Sequence, residues 1–94
     1  MTGGRPERPP NVLVVDDSEP LRRLMVRALT AAGFTVIEAG DGESALRFAG
    51  DGTLVAVVTD VGLPGMSGLE LAAKLTEINP ELCVLCTSGL DTPD

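Results

Sequence analysis

The feature that most constrains the fold of this chain is the regular alternation of short apolar runs with segments of helical periodicity. Residues 12–15 and 54–59 are runs rich in β-branched and aliphatic residues, which are typical of strands buried on both faces. Between residues 21 and 32, apolar residues recur at spacings of three and four, which indicates an amphipathic helix. Strands that alternate with helices through short loops form a parallel sheet with helices on both faces, so we predict an α/β doubly wound fold.

Turn and cap residues divide the chain into predicted elements. Ser18 can cap the first helix and Gly33 stops it, while Asn79 and Pro80 end the third helix, because prolines and left-handed glycines interrupt helices. The predicted strands are residues 12–15, 34–37, 54–59 and 82–87, and the first and third predicted helices are residues 20–32 and 69–78. Asp41 and Gly42 lead into a short second helix that passes through residues 45–49 and is closed by Gly50.

Length and charge exclude several classes of protein. The 94 residues leave room for one domain. A net charge of -7 with no His opposes binding to nucleic acid and to anionic lipid. No apolar run approaches the roughly 20 residues that span a bilayer, and no signal-peptide pattern is present, so we expect a cytoplasmic protein without a membrane partner. Residues 1–10 are predicted to be a disordered tail, and residues 11–94 to be the domain.

Acidic residues stand where two of the predicted strands end. Asp16 and Asp17 follow the first strand, and Asp60 follows the third. In doubly wound sheets the ligand crevice lies beyond the carboxyl ends of the strands, so the three carboxylates converge if the first and third strands are neighbours. Clustered anions repel unless one is protonated or a cation lies among them. Mg²⁺ suits such an oxygen site and admits a phosphoryl group.

Each of these residues also has a simpler structural interpretation. An acidic pair between a strand and a helix commonly caps the helix and interacts with its dipole. Asp60, the glycine-rich residues 62–68 and residues 87–89 are each typical of turns when taken alone. Their joint placement at strand ends favours a functional site.

Three segments resemble the receiver domain of bacterial two-component response regulators. They are the pair Asp16 and Asp17, residues 60–68 (DVGLPGMSG) and residues 87–89 (TSG). The resemblance covers residues 11 to about 89, and the last two segments are most similar to receivers attached to hybrid sensor kinases. It implies a flavodoxin-like doubly wound parallel sheet.

The resemblance also implies a role for each site residue. Asp60 would be the phosphoacceptor, taking a phosphoryl group from a phosphohistidine on a histidine kinase or histidine phosphotransfer protein. Asp17 would bind Mg²⁺ directly, Asp16 mostly through water, and the Gly62 backbone carbonyl would complete the protein ligands. The Thr87 hydroxyl would bond a phosphoryl oxygen and move toward it on activation. Such a domain is a phosphoacceptor with self-catalysed transfer and hydrolysis steps, not otherwise an enzyme.

The chain departs from the receiver pattern after its fourth strand. Receivers carry a Lys at the end of a fifth strand and then a fifth helix, whereas the only Lys here is Lys74, in the third predicted helix. We therefore expect a sheet truncated after the fourth strand, with the fifth strand and fifth helix missing. An uncovered apolar edge promotes association, so the domain is expected to be unstable, to dimerise through the fourth-strand edge, or to be completed by another chain.

Two other functions remain open at this point. One is a truncated receiver-like interaction fragment that binds kinases or self-associates without sustained phosphorylation, which the missing Lys favours. The other is a haloacid-dehalogenase-like phosphatase, which needs its second acid two residues after the nucleophile. Asp16 and Asp17 are adjacent, so this function is disfavoured.

The two cysteines raise the question of redox or metal chemistry. Cys83 and Cys86 have C-x-x-C spacing, but they fall in an apolar run that reads as a buried strand, where residues three apart point to opposite faces. We therefore interpret them as core residues.

Three arginines follow the acid pair on the first helix. Arg22, Arg23 and Arg27 are expected on its polar side near the crevice, forming a solvated face with Glu19 paired at helical spacing. Contact with a kinase or phosphotransfer helix is the alternative.

Overall fold

In the part of the chain that the structure describes, seven elements follow one another in the predicted order. A computed structural model of the chain describes residues 11–50 and 52–87. The elements are β1 (Asn11–Val15), α1 (Glu19–Ala31), β2 (Thr35–Ala39), α2 (Gly42–Leu46), β3 (Leu54–Asp60), α3 (Gly68–Ile78) and β4 (Cys83–Thr87). The largest difference from the prediction is at the end of α2, which begins after Asp41 as expected but ends at Leu46 instead of continuing through Ala49. The predicted tail, residues 1–10, and residues 88 and 89 lie outside the described residues.

The four strands form one parallel sheet in the order β2-β1-β3-β4. Val15 of β1 stands opposite Ala39 of β2 on one side and opposite Thr59 of β3 on the other. The strand order reverses between β1 and β3, which is the topological switch point of a doubly wound sheet. The predicted fold class is confirmed, and so is the condition that the first and third strands are neighbours.

The main core lies between one face of the sheet and helices α2 and α3. Val12 and Val14 are buried as well, on the opposite face, because successive side chains of a strand alternate. β1 is thus buried on both faces, as its uninterrupted apolar run predicts. The fully buried aliphatic side chains that pack together in the main core are Leu13, Val15, Val57, Leu71 and Leu75.

Of the three helices in the described part of the chain, two have side-chain caps at their N-termini. The Asp41 carboxylate accepts a hydrogen bond from the Ser44 amide at 2.8 Å at the start of α2, and Ser67 and Glu70 form a reciprocal capping box on α3. Ser18 occupies the cap position of α1, but its side chain makes no capping hydrogen bond. Among the described residues, no helix has both the length and the apolar character needed to cross a membrane.

α1 and β4 carry apolar side chains that no other described element covers. No residue of α1 is buried, and Leu24 is 63% exposed. On β4, Leu85 is 55% exposed, and Cys83 and Cys86 are exposed free thiols. The interpretation of the cysteines as core residues is therefore wrong for the described part of the chain, because β4 is the last strand of this sheet and has a neighbour only on its β3 side.

Candidate functional site

Three carboxylates meet at the carboxyl ends of β1 and β3. Asp16, Asp17 and Asp60 each present an oxygen, and these oxygens all lie within 4.8 Å of one another. The register explains why Asp16 and Asp60 meet. Val15 pairs with Thr59, and the residue that follows each of them along the chain is an aspartate. The predicted clustering of these side chains is thus observed.

The three aspartates differ in burial and in how they are held. Asp16 is buried, Asp17 is exposed and Asp60 is intermediate. The Asp16 amide donates to the Ala39 carbonyl at 3.1 Å, and Oδ1 of Asp16 accepts from the Ser18 amide at 2.9 Å. The buried carboxylate is therefore oriented by the turn that leads into α1, while Asp17 faces solvent.

The electrostatics of this cluster favour a bound cation. Two unit charges at 4.8 Å repel by about 3.5 kcal/mol at an effective dielectric constant of about 20. A divalent ion among the oxygens removes this repulsion, and a set of carboxylate oxygens is the donor type that Mg²⁺ prefers. The residues present therefore fit a magnesium ion.

Thr87 lies next to Asp60 on the neighbouring strand β4. The two residues pair in the register of β3 with β4, and the Val61 amide donates to the Thr87 carbonyl at 3.2 Å. The Thr87 hydroxyl donates to the Thr59 carbonyl at 3.5 Å. The structure therefore brings Thr87 beside the acid cluster, whereas the rest of the predicted segment, residues 88 and 89, lies outside the described residues.

The loop after Asp60 folds back tightly against the strand that carries it. The Gly68 amide donates to the Val61 carbonyl at 2.8 Å, and a Cβ atom at Gly68 would collide with the Asp60 carbonyl and lie 2.8 Å from the Val61 Cα. Gly65 adopts a φ of 79°, a region that favours glycine. Gly62, by contrast, has open space where a side chain would point. The need for glycine at position 68 was not predicted from the sequence, although a glycine directly before a helical pattern is consistent with it.

Arg22 also lies at this end of the sheet, near the crevice as expected, but its contacts with Asp16 and Glu38 were not predicted. Its Nη1 donates to the Asp16 backbone carbonyl at 2.8 Å, and its Nε donates to Oε1 of Glu38 at 3.0 Å. The pairing with Glu19 belongs to Arg23, at 2.8 Å. The expectation of a solvated face is therefore wrong for Arg22. The acidic residue Glu38 at the end of the second strand was the one sequence feature that could have indicated an ion pair with an arginine of the first helix.

Lys74 lies away from the acid cluster. It lines an open groove beside the N-terminus of α2, as its position in the third helix predicts. In the same groove, Asp41 has a pKa below its ordinary value of 3.8, first because of the Ser44 amide hydrogen bond, then the Ser44 side chain, with a smaller contribution from Arg47.

The fold and the site together define a doubly wound α/β domain with an acidic triad at its switch point. Residues 12–94 match the family model described as the response regulator receiver domain. The chain therefore belongs to the response regulator receiver domain family, and the resemblance found in the sequence is confirmed. The more particular likeness to receivers of hybrid kinases stays a prediction.

Several known proteins are similar to this chain. It is 35% identical over 78 residues to the response regulator receiver protein CpdR of Brucella abortus, covering 83% of this chain and 65% of CpdR. It is 43% identical over 84 residues to the probable transcriptional regulatory protein TcrX of Mycobacterium tuberculosis, covering 89% of this chain and 36% of TcrX. The chain thus spans less than two thirds of either relative.

The solved structures give the same fold. The response regulator TrrA of Thermotoga maritima, crystallised in complex with Mg²⁺-BeF, is 29% identical and has a TM-score of 0.80, covering 87% of this chain and 71% of that chain. A crystal structure of histidine kinase ThkA in complex with TrrA also matches, with 28% identity and a TM-score of 0.78, covering 89% of this chain and 75% of that chain.

Proposed function

We propose that this chain is the phosphoacceptor module of a two-component phosphorelay, in which Asp60 takes a phosphoryl group from a phosphohistidine. The observation that carries the proposal is the meeting of the Asp16, Asp17 and Asp60 carboxylates within 4.8 Å beside the hydroxyl-bearing residue Thr87. Membership of the receiver family supports it.

The acidic residues are the proposed magnesium ligands. Asp17 and Asp60 would bind the ion through carboxylate oxygens, Asp16 mostly through water, and Gly62 through its backbone carbonyl. When bound, Mg²⁺ would neutralise charge on the phosphoryl oxygens and so favour attack by a carboxylate. The similarity to TrrA, which was crystallised in complex with Mg²⁺-BeF, supports a magnesium ion as the ligand.

The chain's own groups carry the transfer step. A carboxylate oxygen of Asp60 attacks the phosphorus of a phosphohistidine whose other ring nitrogen is protonated; the O–P bond forms, the N–P bond breaks with its electron pair staying on nitrogen, and the histidine leaves as neutral imidazole. The Thr87 hydroxyl leaves the Thr59 carbonyl and donates to a phosphoryl oxygen. Hydrolysis of the aspartyl phosphate by water then restores the Asp60 carboxylate, so the domain acts as a transient acceptor.

A histidine kinase or histidine phosphotransfer protein is the proposed partner. The similarity to TrrA, which was crystallised with histidine kinase ThkA, supports this choice. The exposed Leu85 and the edge of β4 are the surface we propose for pairing with a further strand, including that of a second copy. The cytoplasmic location, the absence of a nucleic-acid partner and the division into a tail and a domain from residue 11 stay predictions.

Phosphoryl uptake by the whole protein tests the proposal. Incubation with acetyl phosphate and Mg²⁺ should add one phosphoryl group, detected by intact-protein mass spectrometry, and Asp60→Asn should abolish the gain. Asp41→Asn is the matched control, because Asp41 lies outside the triad and Asn is also a good N-cap residue. A gain that survives in Asp60→Asn, or no gain in folded wild-type protein, would reject the function.

A further inference from the structure

Arg22 connects the first helix to the ends of two strands. Its guanidinium donates to the Asp16 carbonyl at 2.8 Å and to the Glu38 carboxylate at 3.0 Å. The Arg22 side chain is only 18% exposed, against 69% for its neighbour Arg23. We propose that Arg22 is a positioning residue that orients Asp16 and thereby sets the affinity of the acid cluster for a divalent cation, an inference that rests on the proposed function.

The hydrogen-bond pattern of the sheet shows what Arg22 replaces. The Asp16 amide donates to Ala39, so the ladder between β1 and β2 reaches residue 16. In a parallel ladder the carbonyl of that residue would accept from the amide two residues beyond Ala39. β2 ends at Ala39, however, and the Arg22 guanidinium supplies a donor to this carbonyl. The Arg22 guanidinium therefore supplies the hydrogen bond that a longer β2 would have given to the Asp16 carbonyl.

The same contact constrains the acidic side chain. Oδ1 of Asp16 accepts from the Ser18 amide, so the direction of this carboxylate depends on the backbone of the turn from 16 to 18. The Arg22 amide donates to the Ser18 carbonyl at 2.9 Å, which ties the same turn to the start of α1. With both backbone groups of Asp16 held, one by Ala39 and the other by Arg22, the buried carboxylate keeps a single orientation.

Glu38 completes the arrangement. It binds the Arg22 Nε atom while Nη1 contacts Asp16, so the planar guanidinium bridges two acceptors on different strands. A lysine carries one ammonium group on a flexible stem and does not reproduce this fork. Replacing Arg22 with Lys therefore keeps the charge and removes the bridging geometry.

The experiment compares Arg22→Lys, Arg22→Gln and Glu38→Gln with the matched control Arg23→Lys in the whole protein. Mutation of a residue that hydrogen-bonds to a metal ligand commonly lowers the affinity for the metal by tenfold or more. We expect Arg22→Lys to weaken Mg²⁺ binding about tenfold by calorimetry, and Glu38→Gln to act in the same direction. Arg23→Lys should bind Mg²⁺ within about twofold of wild type, because Arg23 pairs only with exposed Glu19 among the contacts described for it.

A second readout needs no metal. In Mg²⁺-free protein, hydrogen exchange of the Ser18 amide should become about tenfold faster in Arg22→Lys and stay unchanged in Arg23→Lys, because the Asp16 carboxylate that protects this amide is no longer held. Urea unfolding of each variant separates this local effect from a loss of global stability. If Arg22→Gln does not fold, Arg22→Lys still tests the proposal, because it keeps the positive charge and removes only the bridging geometry.

The outcomes distinguish this inference from the function on which it rests. Wild-type protein that binds Mg²⁺, together with an Arg22→Lys variant of equal affinity or of unchanged Ser18 exchange, overturns the positioning role and leaves the proposed function standing. Wild-type protein that binds no Mg²⁺ and takes up no phosphoryl group overturns the proposed function and the positioning role together.

Discussion

Thr87 stands directly opposite Asp60 in the parallel pairing of β4 with β3. Its hydroxyl donates to the Thr59 carbonyl at 3.5 Å, which is long for a hydrogen bond between oxygens and therefore weak. A charged phosphoryl oxygen on Asp60 would be a stronger acceptor. The resting contact thus leaves the hydroxyl available to move toward a phosphorylated Asp60.

Removing this hydroxyl should slow the transfer more than it destabilises the fold. We expect Thr87→Ala to lower the rate of phosphoryl uptake about tenfold, since a hydrogen bond to a charged group contributes roughly 1.5–3 kcal/mol. The free energy of unfolding should fall by less than about 1 kcal/mol, because the bond that is lost is weak. Thr87→Ser is the control and should keep most of the rate; an alanine variant with wild-type uptake would contradict the assigned role.

Neutralising Asp17 should have opposite effects with and without magnesium. We expect Asp17→Asn to weaken Mg²⁺ binding about tenfold and, in Mg²⁺-free buffer, to raise the melting temperature, because one repelling charge leaves the triad. Calorimetry and thermal unfolding measure the two effects. Glu81→Gln, which removes an exposed charge at the other end of the sheet, should change neither appreciably, and lowered stability of Asp17→Asn without Mg²⁺ would contradict the electrostatic argument.

A side chain at position 68 should disturb the backbone that carries Asp60. Gly68→Ala places a Cβ against the Asp60 carbonyl and Val61, so we expect the free energy of unfolding to fall by about 1–3 kcal/mol. Gly50→Ala is the matched control, because a Cβ there has no atom within 4 Å. Urea unfolding of both variants is the measurement, and equal stability of the two would show that the loop accommodates the methyl group.

Enlarging Gly62 should prolong the phosphorylated state. A Cβ at Gly62 meets nothing within 4 Å, so a larger residue fits there. Because position 62 is only two residues from Asp60, we expect such a residue to restrict the approach of water to the phosphoryl group. We expect the half-life of the phosphorylated protein to increase from wild type to Gly62→Ala and further to Gly62→Met, by a factor of about ten in total. A half-life that does not lengthen along this series would reject the steric explanation.

The ionised Asp41 carboxylate should stabilise the fold at neutral pH, and this stabilisation should be lost in acid. Its pKa lies below 3.8, chiefly because the Ser44 amide donates to it, so its ionised form is favoured in the folded state. This contribution is present above the unfolded pKa and is lost as the pH falls through the lower folded pKa. NMR titration should place the Asp41 midpoint below 3.8, and in Asp41→Asn the loss of stability in this acidic range should be smaller; a midpoint at or above 3.8 would contradict this.

The sequence predicted the elements well because their signals are local. The apolar run in β1 indicated a strand buried on both faces. In α3 the helical spacing of Leu69, Leu75 and Ile78 indicated the helix correctly, but only Leu75 of these three is buried, and Leu71 is the other leucine that enters the core. The acids could be placed at strand ends for the same reason. Their meeting depended on a condition that local pattern cannot supply, namely that β1 and β3 are neighbours.

Predictions failed where a side chain's surroundings depend on distant parts of the chain. Cys83 and Cys86 lie in an apolar run but on the last described strand, so they are exposed. Arg22 and Arg23 are adjacent and chemically identical, yet one bridges Asp16 and Glu38 while the other faces solvent. Helical periodicity places both on a polar face and does not reveal which acceptors a neighbouring strand presents.

The sequence by itself therefore determined the order of strands and helices and which residues carry acids and a hydroxyl at the strand ends, because these follow from spacing along the chain. The tertiary structure alone decided that residues 16, 17 and 60 share one small volume, that Gly68 must lack a side chain, and that Arg22 turns inward. Each of these depends on how strands far apart in sequence pair, and pairing is settled by packing and hydrogen bonding across the whole sheet.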